Sequence, residues 1–276
     1  MSSFLVRKAD GDTEAFRPEK LKLSLKRAGA SPLIIRKIVE RIQAEATDTV
    51  ITTAEIYKNA FRLLKKEKLG VASRYSLKRA IFDLGPTGFP FEDFVAQIMI
   101  SQGYTATTGM LLKGACAEHE VDMIAHKDDS RIGAEMKFHN SPGMKTDLKV
   151  ALYVAARFQD LNQKLEARSK PFTESWLVTN TKFTSQARHY GTCVGLKLIA
   201  WSYPRSGNLQ DMIESSGLHP ITALTSLTKT QKQRLLKEGQ VLCRQLINNR
   251  TLLETHGVPK NKINRVLAET NTICGV

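Results

Sequence analysis

The run Gly85-Pro86-Thr87-Gly88-Phe89-Pro90 constrains this chain more than any other short stretch in it. Its prolines remove backbone donors and its glycines favour turns, so no regular element is expected to run through it. A domain boundary is expected there. A second change comes near residue 205, after which short helical stripes run to residue 276. Three segments result, 1–85, 86–205 and 206–276, a division natural for a chain of 276 residues.

In the first segment Phe4-Leu5-Val6-Arg7-Lys8 alternates, Asp10-Gly11-Asp12 turns, and Thr13-Glu14-Ala15-Phe16 returns, the pattern of a β-hairpin. Pro18 suits the first turn of a helix that carries Leu21, Leu25 and Ala28 and ends at Gly29. A second helix is expected from Pro32 through Ile42, with Leu33, Ile34, Ile38 and Ile42 at helical spacing. A third starts at Thr52 or Thr53, where a hydroxyl caps free N–H groups and Glu55 supports the first turn, and runs through Ile56, Phe61 and Leu64. Tyr75–Leu84 reads as a fourth.

The middle segment opens with a helix that places Phe91, Phe94, Val95, Ile98 and Met99 on one face and stops at Gly103. Strands are expected over Glu120–Ala125 and Ile132–Phe138, joined by the polar turn His126–Ser130. A long helix follows from Thr146 to about Leu165, striped by Ala151, Val154, Ala155 and Phe158. A strand at Ser175–Thr179, a helix at Ser185–Gly191 and a strand at Leu196–Trp201 complete a mixed α/β pattern. Residues 206–276 read as wholly helical. The fold class is therefore mixed α/β: a mostly helical first segment with a hairpin, a central sheet domain and a helical tail.

Charge is unevenly spread. The net +14 divides into +8 for residues 1–85 (18 basic, 10 acidic), +2 for 86–205 (14 and 12) and +4 for 206–276 (9 and 5). A basic excess favours phosphate-rich partners, and a near-neutral middle fits carboxylates clustered inside a basic surface. It also fits a protein kept soluble by its charge. Cys116, Cys193, Cys243 and Cys274 form no CxxC pair, so neither a disulfide framework nor a zinc site is expected and a reducing cytoplasm suits the chain. No apolar run reaches the ~18 residues of a membrane span. The start turns polar after three apolar residues, so no signal peptide is expected.

The strand Arg131-Ile132-Gly133-Ala134-Glu135-Met136-Lys137-Phe138 alternates. Ile132, Ala134, Met136 and Phe138 share one face, and Glu135 and Lys137 share the other. Hairpin pairing brings Asp122 beside Glu135, and two hard oxygen ligands favour Mg²⁺. Glu92, near the start of the preceding helix, adds a third carboxylate. Metal, carboxylates and lysine together are the parts that phosphodiester hydrolysis needs. An acid–x–lysine strand alone is usually a solvated face; the Asp on the adjacent strand and the acidic helix before it set this one apart. His119, His126, His139 and Glu120 are weaker candidates, better read as ordinary solvated groups, and Gln186 and Arg188 fit a phosphate contact or an ordinary helix start equally well.

At FEDFVAQIMISQGY, HEVDMIAHKDDSRIGAEMKFH and WLVTNTKFTSQARHYGTCVGLKLIAWSYP the segment resembles the Mrr-like restriction endonucleases of the PD-(D/E)XK superfamily, over residues 89–205. The resemblance implies a Mg²⁺-dependent enzyme cutting double-stranded DNA, with Glu92, Asp122, Glu135 and Lys137 catalytic and Glu92, Asp122 and Glu135 on the metal. Val121 stands where the superfamily places proline.

LVRKADGDTEAF, PEKLKLSL, ITTAEIY and GVASRYSLKRAIF resemble an ATP cone, a nucleotide-sensing module. That resemblance implies ATP or dATP as effector, bound around Val6, Arg7, Lys8, Glu14, Lys20, Thr53 and Tyr57. Ala9 and Tyr57 depart from the family's pattern, where a second basic residue and a histidine are common. No Walker A loop is present, so nucleotide hydrolysis is not expected. A glycine between short helices at Leu252–Ile263, followed by Lys260 and Lys262, has the look of a helix–hairpin–helix contact to DNA; a plain bundle fits as well. The expected protein is a nucleotide-responsive, homo-oligomeric DNA endonuclease without a membrane partner. The alternatives are a nucleotide-sensing DNA-binding regulator on an inactive nuclease fold, and a junction or repair nuclease.

Overall fold

The computed structural model describes residues 4–46, 50–67, 69–166 and 170–275. It forms two compact units, one of Met1–Ala80, Ile221–Leu235 and Cys243–Val276, the other of Ile81–Pro220 and Leu236–Leu242. No helix among the described residues is long and apolar enough to cross a membrane.

In the first unit β1 (Leu5–Arg7) pairs antiparallel with β2 (Thr13–Ala15), and the turn between them closes with Gly11 at φ +89°. A third strand, β3 (Val50–Thr52), lies parallel to β1 on its other side. It is three residues long, too short to show a period, and the sequence reading has no strand there. Helix α1 (Pro18–Arg27) buries Leu21 and Leu25; α2 (Pro32–Glu45), capped by Ser31, buries Ile38, Val39 and Ile42. Leu33, expected in that stripe, is 66% exposed. Helix α3 (Thr53–Glu67) begins with a capping box. Glu55 accepts from the Thr52 N–H at 2.8 Å, and the Glu55 N–H donates to the Thr52 hydroxyl at 3.1 Å. Within the expected helix Tyr75–Leu84 lies α5 (Leu77–Phe82), and a further helix not expected from the sequence, α4 (Leu69–Tyr75), precedes it. They part at Ser76, whose hydroxyl bonds back to the Ser73 carbonyl at 2.8 Å.

After α9 (Leu209–Ser216) and α10 (Lys229–Lys237) come the C-terminal helices of this unit, α11 (Arg250–Thr255) and α12 (Lys260–Cys274), which pack with the N-terminal ones. At Gly70 of α4 an added Cβ would lie 3.0 Å from the Thr272 methyl of α12. The Thr222 hydroxyl donates to the Ala80 carbonyl at 2.6 Å. Buried Glu269 accepts the Thr225 and Ser226 N–H groups, each at 2.7 Å. A buried carboxylate so supplied with donors fixes a turn against a helix. At the glycine between α11 and α12 the Gly257 carbonyl accepts from Gln231 at 2.8 Å.

The second unit is a five-stranded sheet in the order β10 (Lys197–Ile199), β8 (Glu174–Thr179), β6 (Ser130–Lys137), β5 (Glu118–Lys127) and β4 (Thr105–Lys113). Helix α6 (Phe89–Ser101) is followed by three antiparallel strands, β4 (Thr105–Lys113), β5 (Glu118–Lys127) and β6 (Ser130–Lys137). β4 was not expected: it is an edge strand with mostly exposed residues, and its threonines and glycine hide the alternation. Helix α7 (Leu148–Glu166) then crosses to β8 (Glu174–Thr179), parallel to β6, and α8 (Ser185–Cys193) crosses to β10 (Lys197–Ile199), parallel to β8. β7 (Lys145–Thr146) and β9 (Lys182–Phe183) form a separate parallel pair. Ala151, Val154, Phe158 and Leu161 of α7 form the buried stripe against the sheet.

Candidate active site

The stripe on α7 decides which face of β6 holds the chemistry. An added Cβ at Gly133 would run into the Phe158 ring, so Gly133 faces α7 at close quarters. By alternation Glu135 and Lys137 face it too. Phe138 meets the Phe91 ring of α6 at 5.5 Å, which gives the opposite face to Ile132, Ala134 and Met136.

The β5–β6 ladder runs from Lys127↔Ser130 to Met123↔Ala134 and stops. One step further the Asp122 carboxylate itself accepts the Met136 N–H, at 2.6 Å. On the other side of β5 the register places Gly109 across from Asp122, between the Thr108↔Met123 and Met110↔Val121 pairs, and Gly109 has φ +63°. That conformation favours glycine, and it interrupts the pairing opposite Asp122. Asp122 thus sits where β5 is released by both neighbours.

Glu135 is 8% exposed, and both its oxygens receive donors from α7: the Tyr153 hydroxyl at 3.0 Å and the Arg157 guanidinium. Arg157 also donates to the Glu120 carbonyl at 2.9 Å. Lys137 is half-buried, and its carbonyl accepts from Thr179 at 2.8 Å. Glu92 lies on the first turn of α6.

The three carboxyl groups share one electrostatic signature. Burial, then the charges of Asp122, Asp93, Glu120 and Glu135, push Glu92 up to about 7. Burial is also the largest cause raising Asp122 and Glu135; the Met136 N–H and Arg157 oppose it at Asp122, while Asp122 adds to it at Glu135. Such a set is short of positive charge, and hard carboxylate oxygens match a hard divalent cation. Among the described residues no three His, Cys, Asp or Glu side chains already close around one point as a metal site. The carboxylates fit the ion by chemistry, with Glu135 turned toward α7.

Other candidates fall elsewhere. His119 pairs with Asp160 at 2.7 Å, and Asp160 also takes the Cys116 and Ala117 N–H groups, a staple between β5 and α7. His126 is exposed, across from Arg131 near the hairpin end. His139 bonds Thr146 at 2.9 Å, and burial lowers its pKa. Glu120 is exposed and contributes its carbonyl to Arg157. Gln186 is exposed on α8; Arg188 stacks over Tyr203 and lines a shallow cavity of about 340 Å³ that contains none of the clustered carboxylates. Tyr153 and Arg157 escaped the sequence reading. Their only signal was a spacing of four on the flank of the α7 stripe.

In the first unit Lys8 and Lys20 both pair with Glu14, at 3.0 and 2.6 Å. Hydrogen bonds from Lys20 and then Lys8 hold Glu14 down at about 2. Arg7 and Thr53 are exposed, Val6 is buried in the core, and the Tyr57 ring stacks on Phe61 and on Tyr75, with Arg79 over it.

Three families match the chain in succession: the ATP cone domain over residues 4–83, the restriction endonuclease domain of the Mrr catalytic type over 86–203, and the AF1548-like C-terminal domain over 219–274. An uncharacterized protein of Archaeoglobus fulgidus is 36% identical over 182 residues, 66% of this chain and 100% of the relative. The crystal structure of AF1548, a protein of unknown function, matches with a TM-score of 0.57 and 35% identity, over 68% of this chain and 99% of that one. The chain belongs to this AF1548-like family, and carries an ATP cone followed by an Mrr-type restriction endonuclease domain.

Proposed function

We infer that the second unit is a Mg²⁺-dependent endonuclease acting on double-stranded DNA, and that the cone regulates it by binding ATP or dATP. The observation that carries the first part is the gathering of Glu92, Asp122 and Glu135, all pushed toward higher pKa, beside Lys137 where the β5–β6 pairing has stopped. When bound there, Mg²⁺ supplies charge for the phosphate oxygens and lowers the pKa of a water. Asp122 and Glu135 hold the cation, with Glu92 as a third oxygen donor. Lys137 orients the attacking water and meets the negative charge that develops on the phosphoryl oxygens.

The cone's part rests on Lys8 and Lys20 around the single carboxylate of Glu14, a surplus of positive charge suited to a triphosphate. A nucleotide shifts the nuclease only through different affinity for two states, which makes homo-oligomer assembly the natural carrier of the response.

One observation favours a second reading. Arg157 already neutralises Glu135, as in a nuclease fold retained as a DNA-binding scaffold. Supercoiled plasmid incubated with the purified chain separates the two. Nicking in Mg²⁺ that chelator stops, and that Glu135→Ala lacks, establishes the enzyme. DNA binding with no nicking in Mg²⁺ or Mn²⁺ establishes the scaffold.

A further inference from the structure

Arg157 does more than sit near the site. With Tyr153, one turn before it on α7, it supplies donors to both oxygens of Glu135. It has a second anchor in the Glu120 carbonyl, and its guanidinium carbon lies 5.4 Å from the Tyr153 ring centre. The side chains of Arg157 and Glu135 are only 21% and 10% exposed, so water screens the pair little. A planar fork held at three points is a fixed cation rather than a wandering one.

We propose that Arg157 is the resident cation of this site, and that a divalent cation binds Glu135 only as the guanidinium lets go of it. The inference rests on the nuclease reading and specifies how its metal is admitted. Two positive groups on one carboxylate repel at this range, and poorly screened surroundings strengthen the repulsion. Glu135 must therefore turn from α7 toward Asp122 to become a ligand. Arg157 keeps the Glu120 carbonyl and the Tyr153 ring as partners after release. The apparent metal affinity is reduced by the fraction of molecules in which Glu135 is still held. Arg157 in this role is a positioning residue, and it opposes metal binding while the site is empty.

A residue that merely props Glu135 in place makes the opposite prediction, since its loss would weaken metal binding. Calorimetric titration of the full chain with Mg²⁺ at fixed pH tells the two apart. The lock predicts that Arg157→Gln binds Mg²⁺ roughly ten-fold more tightly than the wild type; unchanged or weaker binding overturns it. A second measurement needs no folded variant. The Arg157 Nη1–H signals in ¹⁵N NMR of the wild type should shift and exchange faster with solvent at saturating Mg²⁺, because Nη1 is the donor to Glu135, and signals that stay in place overturn the lock. Asp122→Asn keeps the two claims separate. If wild-type binding of Mg²⁺ depends on Asp122, an unmoved Arg157 sinks the lock alone; if neither the wild type nor Arg157→Gln binds Mg²⁺, the lock and the nuclease reading fall together.

Discussion

The two units treat carboxylates in opposite ways. In the sheet unit Glu92, Asp122 and Glu135 are partly or largely buried near one another, and burial with mutual repulsion drives Glu92 up to about 7. In the cone, exposed Lys20 and half-buried Lys8 grip Glu14 and hold it at about 2. In the first, Arg157 answers Glu135 but burial still raises all three acids; in the second, two lysines neutralise one acid and leave positive charge over. A protein keeps an uncomfortable group of acids only where something else fixes it in place, and here a packed sheet does so. Under the proposed function, the contrast suits each unit to a ligand of opposite sign, a divalent cation for one and a polyphosphate for the other.

The contrast can be broken at several points. The largest effect is expected at the sheet: Glu135→Ala or Lys137→Ala should lower the single-turnover cleavage rate by roughly 10²- to 10³-fold. Affinity for the same duplex should change little in a gel-shift titration, because phosphate contacts come chiefly from basic residues elsewhere. Cleavage at the wild-type rate would remove the sheet half of the comparison. Next comes the frame of the cone unit. Glu269→Ala leaves the Thr225 and Ser226 N–H groups buried without their acceptor and should cost about 3 kcal/mol in urea unfolding. An unmoved midpoint would mean that the C-terminal helices do not stabilise the cone.

Smaller effects belong to the cone's own charges. Lys8→Ala or Lys20→Ala should weaken ATP or dATP binding by about 1–2 kcal/mol in calorimetry, and an unaltered Kd would move the triphosphate elsewhere. The smallest concerns acid. Glu14 has a lowered pKa when folded, so its pairing stabilises the cone fully above its ordinary value of 4.5 and is lost as pH falls toward about 2. The difference in melting temperature between wild type and Glu14→Gln should therefore shrink from pH 6 to pH 3. A constant difference would rule the pairing out as its source.

Much of this was legible in the residues. The Asp-Gly hairpin, the helix after Pro90, the stripe of α7 and the alternation of β6 each carry a period or a breaker that physics reads directly. β3 and β4 were not legible, the one because three residues hold no period, the other because Leu111, 66% exposed, and Gly109 break the alternation of an edge strand. At the site, the alternation of β6 placed Glu135 and Lys137 on one face, and hairpin register put Asp122 next to Glu135. Arg157 and Tyr153 lay hidden because a charged residue on the shoulder of a helix looks the same whether it meets solvent or a buried acid 22 positions earlier. The union of residues 221–235 and 243–276 with the cone was equally invisible, since packing between distant segments leaves no local pattern.

The central claim is that Asp122 and its neighbours form a metal-dependent cutting site. Asp122→Asn changes charge and almost nothing in shape, so its cleavage and binding of one labelled duplex in Mg²⁺, measured on the same samples, test that claim most directly. The account predicts cutting reduced at least about a hundred-fold with the affinity for duplex preserved. Cutting by Asp122→Asn at the wild-type rate would contradict it.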